Sequence, residues 1–210
     1  MNPQGDKTYW DEISPQYDGH TQRSAAMYDG LIQRIRQVIS PQAVVLDVGT
    51  GTGEIPIRIS GDVCRIEAVD ASTEMIRRAQ EKATQGGIKN VAFRVQDASH
   101  LEYGPGQFDV VMLANLLHVI PRPDRALAEA SRVLRDDGKL IAPTFVHGES
   151  IKTRLISWIL RLKGRPVYTR FDSNGLRTFL EHHGFIVIQQ VLLRNIMPVS
   201  FVVARKRPRP

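Results

Sequence analysis

Two rhythms of apolar residues take turns along this chain. Short apolar runs of strand length occupy residues 44–48, 66–69, 91–95, 108–113 and 140–142. Between them lie stretches with helical spacing. Ser72 and Met75 open a helix that Gly86-Gly87 stops, and Ala126, Leu127, Ala130, Val133 and Leu134 share one face of a helix over 124–134. Asp136-Asp137-Gly138 reads as a turn before the strand at 140–142. Ahead of all this, Leu31, Ile32, Ile35, Val38 and Ile39 face one way over residues 30–39, with Arg34 and Arg36 elsewhere, so residues 1–40 read as a helical cap. After it, Ser173 starts a helix that Gly184 ends, and residues 185–193 and 199–204 follow as two long strands around Asn195 and Pro198. Alternating strands and helices of these lengths predict an α/β domain.

The first strand runs straight into glycines at alternate positions: Val44-Val45-Leu46-Asp47-Val48-Gly49-Thr50-Gly51-Thr52-Gly53-Glu54. Glycines there let the backbone turn sharply and approach a ligand, since no Cβ stands in the way. In an open α/β sheet such a turn offers backbone N–H groups at the carboxyl ends of the strands. The dinucleotide fingerprint G-x-G-x-x-G fits Gly49 and Gly51 but fails at its third position, where Glu54 would crowd the helix and repel a pyrophosphate. The phosphate loop G-x-x-x-x-G-K-[ST] fails because no lysine follows these glycines, and no Tyr-x-x-x-Lys occurs. A turn flanked by Asp47 and Glu54 suits a ligand with a cationic end better than a phosphate.

On these residues the chain resembles the class I S-adenosylmethionine-dependent methyltransferases, whose [DE]-x-G-x-G-x-G motif matches Asp47 to Gly53. Other features follow in order. The second strand ends in Asp70, with Ala71, Ser72 and Met75 after it; the third leads to Gln96-Asp97-Ala98; the fourth runs into Ala114-Asn115-Leu116-Leu117-His118. The likeness covers residues 40–145 well and the ends more loosely. It implies a Rossmann-like α/β fold: a seven-stranded, mostly parallel sheet with an antiparallel C-terminal strand and helices on both faces. It also implies S-adenosyl-L-methionine as cofactor and S-adenosyl-L-homocysteine as product. The cofactor residues it points to are Asp47, Gly49, Thr50, Gly51, Gly53, Asp70, Ala71, Met75, Asp97, Ala98 and Asn115. Asp70 would hold both ribose hydroxyls, since a carboxylate accepts hydrogen bonds and donates none. Asp97 would take the adenine amino group. The plainer alternatives are a helix cap for Asp70, a solvated loop for Asp97 and a loop-orienting role for Asp47. The start Tyr9-Trp10-Asp11-Glu12 … Tyr17-Asp18 looks like the N-terminal segment of quinone-type methyltransferases, which folds over the cofactor, and this makes Tyr17 a further contact.

The expected organisation is one domain in stretches: cap 1–40, cofactor core 41–146, a variable segment 147–172, a closing helix and strand pair 173–204, and a disordered basic tail 205–210. In the variable segment Ile151, Leu155, Trp158, Ile159 and Leu162 form one helix face, with Lys152, Arg154, Arg161 and Lys163 off it. That helix reads as core packing, as a lid over the acceptor, or as a peripheral membrane contact through 151–163. The chain is expected in the cytoplasm: Met1 to Glu12 is polar, no apolar run spans a bilayer, and the single Cys64 leaves no internal disulfide. No Cys/His cluster has metal-ligand spacing, so no metal is expected. The net charge of +6 owes much to the tail and argues little for nucleic acid. Oligomeric state is not legible.

The implied chemistry is in-line attack on the cofactor's methyl. His118 is the candidate general base, since it follows the fourth strand at the ligand edge and imidazole titrates near neutrality; a packing histidine is the alternative. His147 and His20 follow, and His182-His183 reads as exterior. Absent motifs narrow the acceptor. No [DNS]-P-P-[YFW] follows strand four, and one cysteine near strand two serves neither cytosine C5 nor arsenic methylation. A small-molecule or lipid/quinone-like acceptor remains, with an oxygen, nitrogen or activated carbon nucleophile. The alternatives are a protein or nucleic-acid methyltransferase docking through the tail, and a non-catalytic cofactor-binding partner subunit.

Overall fold

A computed structural model describes residues 3–147, 166–194 and 197–208. Its elements run α1 (Pro3–Arg23), α2 (Ala25–Arg36), β1 (Val44–Val48), α3 (Glu54–Ile59), β2 (Arg65–Asp70), α4 (Thr73–Gln85) and β3 (Val91–Val95). They continue as β4 (Phe108–Met112), α5 (Pro123–Val133), β5 (Leu134–Ile141), β6 (Thr144–Phe145), α6 (Ser173–His182), β7 (Phe185–Leu193) and β8 (Val199–Lys206). The α/β class and the strands read from the apolar runs are all present.

The sheet is parallel through β3-β2-β1-β4-β5. β8 then pairs antiparallel with β5, and β7 pairs antiparallel along the other edge of β8. The eighth strand, β6, is not a new position in the sheet. Residues 203–205 of β8 face β5 and residues 199–200 face β6, with the Ala142 N–H bridging to the Val202 carbonyl between them. Pro143 interrupts this edge because proline has no N–H to give the ladder. Seven strand positions result, as the resemblance implies.

Local chemistry explains the helices that frame the ligand edge. Ser72 caps α4, its hydroxyl accepting from the Met75 N–H at 3.1 Å, and Gly87, at φ 65°, turns the chain after it. α5 begins with proline at its first position, where the missing N–H costs nothing. The N-terminal helix over 30–39 instead begins at Ala25 and ends at Arg36. Met27 and Tyr28 extend its buried face, and Gly30 has open space beside it. Burial of Leu31, Ile32 and Ile35 against the sheet outweighs the poor helix propensity of that glycine.

Helices cover both faces. α2, α3 and α4 pack one core with Val45, Ile66, Ala68, Val110 and Met112; α5 and α6 pack the other with Leu46, Val48, Val69, Val111 and Leu113. Neighbouring strand residues thus point to opposite cores. The predicted Asp136-Asp137-Gly138 turn falls inside the span of β5. It is an excursion there, since the pairing with β4 jumps from Leu134 to Lys139. At the other end β8 runs through Arg205 and Lys206, and the Arg207 N–H donates to the Gly184 carbonyl at 2.7 Å. The ordered chain therefore extends into the stretch read as a disordered tail, because pairing with β7 satisfies its backbone there. Residues 151–163, read as lid or membrane contact, lie outside the described residues. Among the described residues, no helix is long and apolar enough to cross a membrane.

Candidate active site

Because β1, β2, β3 and β4 are parallel, the loops that leave them emerge at one edge of the sheet. The glycine turn after β1 is tied to β2: the Gly49 and Thr50 N–H groups both donate to the Val69 carbonyl, at 2.8 and 3.0 Å. Gly53 takes φ 77°, and a Cβ there would stand 3.0 Å from the Ala79 methyl and the Phe93 ring. Only glycine has both the conformation and the room.

Asp70, at the end of β2, accepts from the Gly51 N–H at 2.8 Å through Oδ2 and from the Ser72 N–H at 2.9 Å through Oδ1. Each oxygen keeps a lone pair for a hydroxyl. Burial raises its pKa against the pull of those two amides. Asp47 is buried at the end of β1. Its Oδ2 accepts from the Thr50 hydroxyl at 2.7 Å, while Oδ1 has no partner. Burial pushes its carboxyl up to about 7, the Thr50 hydrogen bond opposing this and the Asp70 charge adding to it. Across the turn, Asn115 holds φ 53°, a left-handed conformation that asparagine adopts more readily than most residues with a side chain. Its N–H donates to the Pro143 carbonyl, and its Oδ1 is also buried without a partner.

Helix α1 lies over this turn. Asp11 accepts from the Ser72 hydroxyl at 2.5 Å and the Glu74 N–H at 3.2 Å. Asp18 accepts from the Thr52 hydroxyl at 2.6 Å and Lys82 at 2.8 Å. The Tyr17 ring comes within 3.4 Å of where a Gly51 Cβ would sit, and Trp10 stands edge-on to Tyr17.

A cavity of about 350 Å³ opens between these parts. Of the residues that the sequence reading proposes for the cofactor, Tyr17, Gly49, Gly51, Asp70, Ala71, Met75, Asp97, Ala98 and Asn115 line it. Asp47, Thr50 and Gly53 are not in its wall: the first two bond each other and the third packs on α4 and β3. Asp97 is exposed, and one oxygen is taken by the Ser99 N–H and hydroxyl at 2.7 and 2.8 Å. His118 is not in the wall either; it is buried beside Phe145 and His147. The side chain of His20 lies outside those described, and His182 and His183 are exposed. The sequence reading did not assign the rest of the wall, which includes Lys7, Trp10, Gln96, Leu116, Arg122 and Arg125. Gln96 and Leu116 adjoin assigned residues, and that was their one signal. Lys7 and Arg125 gave none.

The architecture matches solved structures at the level of fold. The YcgJ protein of Bacillus subtilis superposes with a TM-score of 0.71 over 85% of this chain and 97% of its own, at 20% identity. Among curated sequences, the malonyl-[acyl-carrier protein] O-methyltransferase of Geobacter sulfurreducens is 34% identical over 78% of this chain and 67% of its own length. The ubiquinone/menaquinone biosynthesis C-methyltransferase of Rhizobium leguminosarum is 34% identical over 57% of this chain and 48% of its own. The methyltransferase domain family model matches residues 39–169, more than half of the chain. The chain belongs to the class I S-adenosylmethionine-dependent methyltransferases. The chain spans about half the length of most of the curated relatives it matches.

For this chain the family implies S-adenosylmethionine, and the residues present fit it. The unpartnered Asp47 Oδ1 and Asn115 Oδ1 are acceptors without donors, which an ammonium group supplies. Asp70 has lone pairs for a pair of hydroxyls, and Met75, Ala98 and Leu116 give apolar wall for a ring. Among the described residues no cluster could hold a metal ion.

Proposed function

We propose that this protein transfers a methyl group from S-adenosylmethionine to a small-molecule or lipid/quinone-like acceptor by direct in-line displacement. Asp47 and Asn115 would take the cofactor's ammonium end, Asp70 its ribose hydroxyls, and Asp97 and Ala98 its adenine, with Tyr17 closing the site from α1. The observation that carries this reading is the pair of buried, unpartnered oxygens at the ends of β1 and β4. An orphaned buried acceptor costs about 1–3 kcal/mol, so a site that keeps two is built for a donor it does not itself contain.

The cofactor supplies an electrophilic methyl and its own leaving group. The chain holds the reactants in line and keeps water out, and positioning of this kind is worth roughly 7–11 kcal/mol. The relatives named as a malonyl-[acyl-carrier protein] O-methyltransferase and a ubiquinone/menaquinone biosynthesis C-methyltransferase support an acceptor of small-molecule or lipid type. The sequence reading of residues 151–163 as a lid or membrane contact belongs to the same proposal.

The test is transfer of a radiolabelled methyl from S-adenosylmethionine to a whole-cell extract, separated into organic, aqueous and macromolecular fractions. Label in the organic or aqueous small-molecule fraction is expected. Label confined to macromolecules would overturn the acceptor class, and no label anywhere, with normal cofactor binding, would favour a non-catalytic subunit.

A further inference from the structure

Two histidines stand at the carboxyl ends of β4 and β6, beyond the cavity wall. The His118 and His147 rings are 5.4 Å apart between centroids, and Phe145 stands edge-on to His118 at 5.8 Å. Both side chains are buried, at 5% and 3% exposure. Even so, Nδ1 of His118 and both ring nitrogens of His147 have no hydrogen-bond partner. Buried polar groups are nearly always paired, so three orphans in one place point to a missing ligand.

The pair is held in position. The His118 carbonyl accepts from the Tyr168 and Thr169 N–H groups, and the His147 N–H donates to the Phe171 carbonyl at 2.8 Å. It also adjoins the cofactor cavity: Asn115, Leu116 and Val119, which bracket His118 in sequence, line that cavity. Val146 belongs to the core under α5 and α6, while Phe145 packs against the core under α2. By alternation His147 shares the side of Phe145.

Chemistry decides what the pair can hold. Burial pushes His118 down to about 3, with His147 adding to the effect, and His147 to about 4, with Arg170 adding. Both rings are neutral near pH 7, so together they offer two N–H donors and two bare nitrogens. An ammonium only donates and a carboxylate only accepts, so either would leave half of these groups unmatched. A hydroxyl does both. The edge-on Phe145 ring favours an aromatic body on that hydroxyl.

We propose that His118 and His147 form the hydroxyl-binding subsite of the acceptor, and that the nucleophile is the oxygen of a phenol-like hydroxyl. The inference rests on the methyl-transfer reading. In the step, the oxygen forms a bond to the methyl carbon while the carbon–sulfur bond breaks, its electron pair staying on sulfur. A bare imidazole nitrogen accepts the hydroxyl's hydrogen bond and so orients the oxygen, and the hydroxyl proton is released to solvent as the bond to the methyl forms, because burial holds both rings neutral. The sulfonium's positive charge leaves with the released proton, so atoms and charge balance with no further reactant.

The test uses the protein loaded with S-adenosylhomocysteine and labelled at histidine. Phenol is titrated in, with anisole as the same shape without the donor, while imidazole nitrogen resonances are followed. Phenol is expected to shift the His118 and His147 signals, and anisole to leave them in place. His118→Gln and His147→Gln should each weaken phenol binding about tenfold while S-adenosylhomocysteine binds as before. If phenol moves neither signal although S-adenosylhomocysteine binds, the subsite is overturned and the methyltransferase reading stands. If S-adenosylhomocysteine does not bind, both fall. Should a variant not fold, the wild-type titration decides alone.

Discussion

Asp47 is the residue where burial and charge oppose each other most directly. Burial lifts its carboxyl to about 7, so in the free protein it is neutral below that pH and ionised above. A cationic ligand needs the ionised form. Affinity for S-adenosylhomocysteine, measured by calorimetry, should therefore be steady above pH 7 and fall by about tenfold per unit below it. The sign follows from linkage. A raised carboxyl favours the free fold at low pH, and that stabilisation is lost as pH rises toward 7, where the ligand's ammonium restores it. Asp47→Asn should remove the pH dependence and weaken binding at pH 8; an unchanged profile would place the ligand's charge elsewhere. Gly53 tests the turn itself. Gly53→Ala combines positive φ with a Cβ 3.0 Å from Ala79 and Phe93, and should lower stability by about 1–3 kcal/mol in denaturant melts.

Among the elements, α1 has the least ordinary support. Among its described side chains Ser14 is buried, and the helix is joined to the body through Asp11, Asp18 and the Tyr17 ring. Asp11 occupies a place that sequence reading did not foresee: it accepts from the capping Ser72 and from the Glu74 N–H, so one helix helps to cap another. The double variant Asp11→Ala, Asp18→Ala should release α1 while the sheet stays folded. Limited proteolysis should then cut before residue 24 faster, and S-adenosylhomocysteine should bind more weakly. Equal cleavage rates in variant and parent would show that the apolar contacts alone hold the helix.

At the scale of the whole molecule, the strand order decides where the cavity lies. The chain builds β1, β2 and β3 outward in one direction, then returns to place β4 on the other side of β1. Ligands bind at such a reversal, because the loops there part to opposite faces of the sheet. Asp47 ends β1 and Asn115 follows β4, so the two orphaned oxygens flank this crevice. Binding there should stabilise the entire fold. S-adenosylhomocysteine at one hundred times its dissociation constant should add about 2.7 kcal/mol and raise the melting temperature, whereas NADH should not. A shift with NADH alone would return the site to the dinucleotide class.

Period and glycine placement made the core strands, helices α4 and α5, and the glycine turn legible in the sequence, because each rests on local rules of backbone and burial. The acids at strand ends were legible too: Asp70 closes an apolar run, and parallel strands bring such ends to one edge. What tertiary structure alone decided are meetings between distant residues. Asp11 reaching Ser72, Lys7 and Arg125 reaching one cavity, and His118 facing His147 depend on how elements pack, and no spacing along the chain encodes that. Pro143 dividing one edge into β5 and β6, and pairing that carries β8 through Lys206, are likewise settled by the neighbouring strand. Local sequence determines which segments can be strands and where a ligand's backbone cradle forms. Only packing decides which side chains close around it, because desolvation and hydrogen-bond geometry act across space and not along the chain.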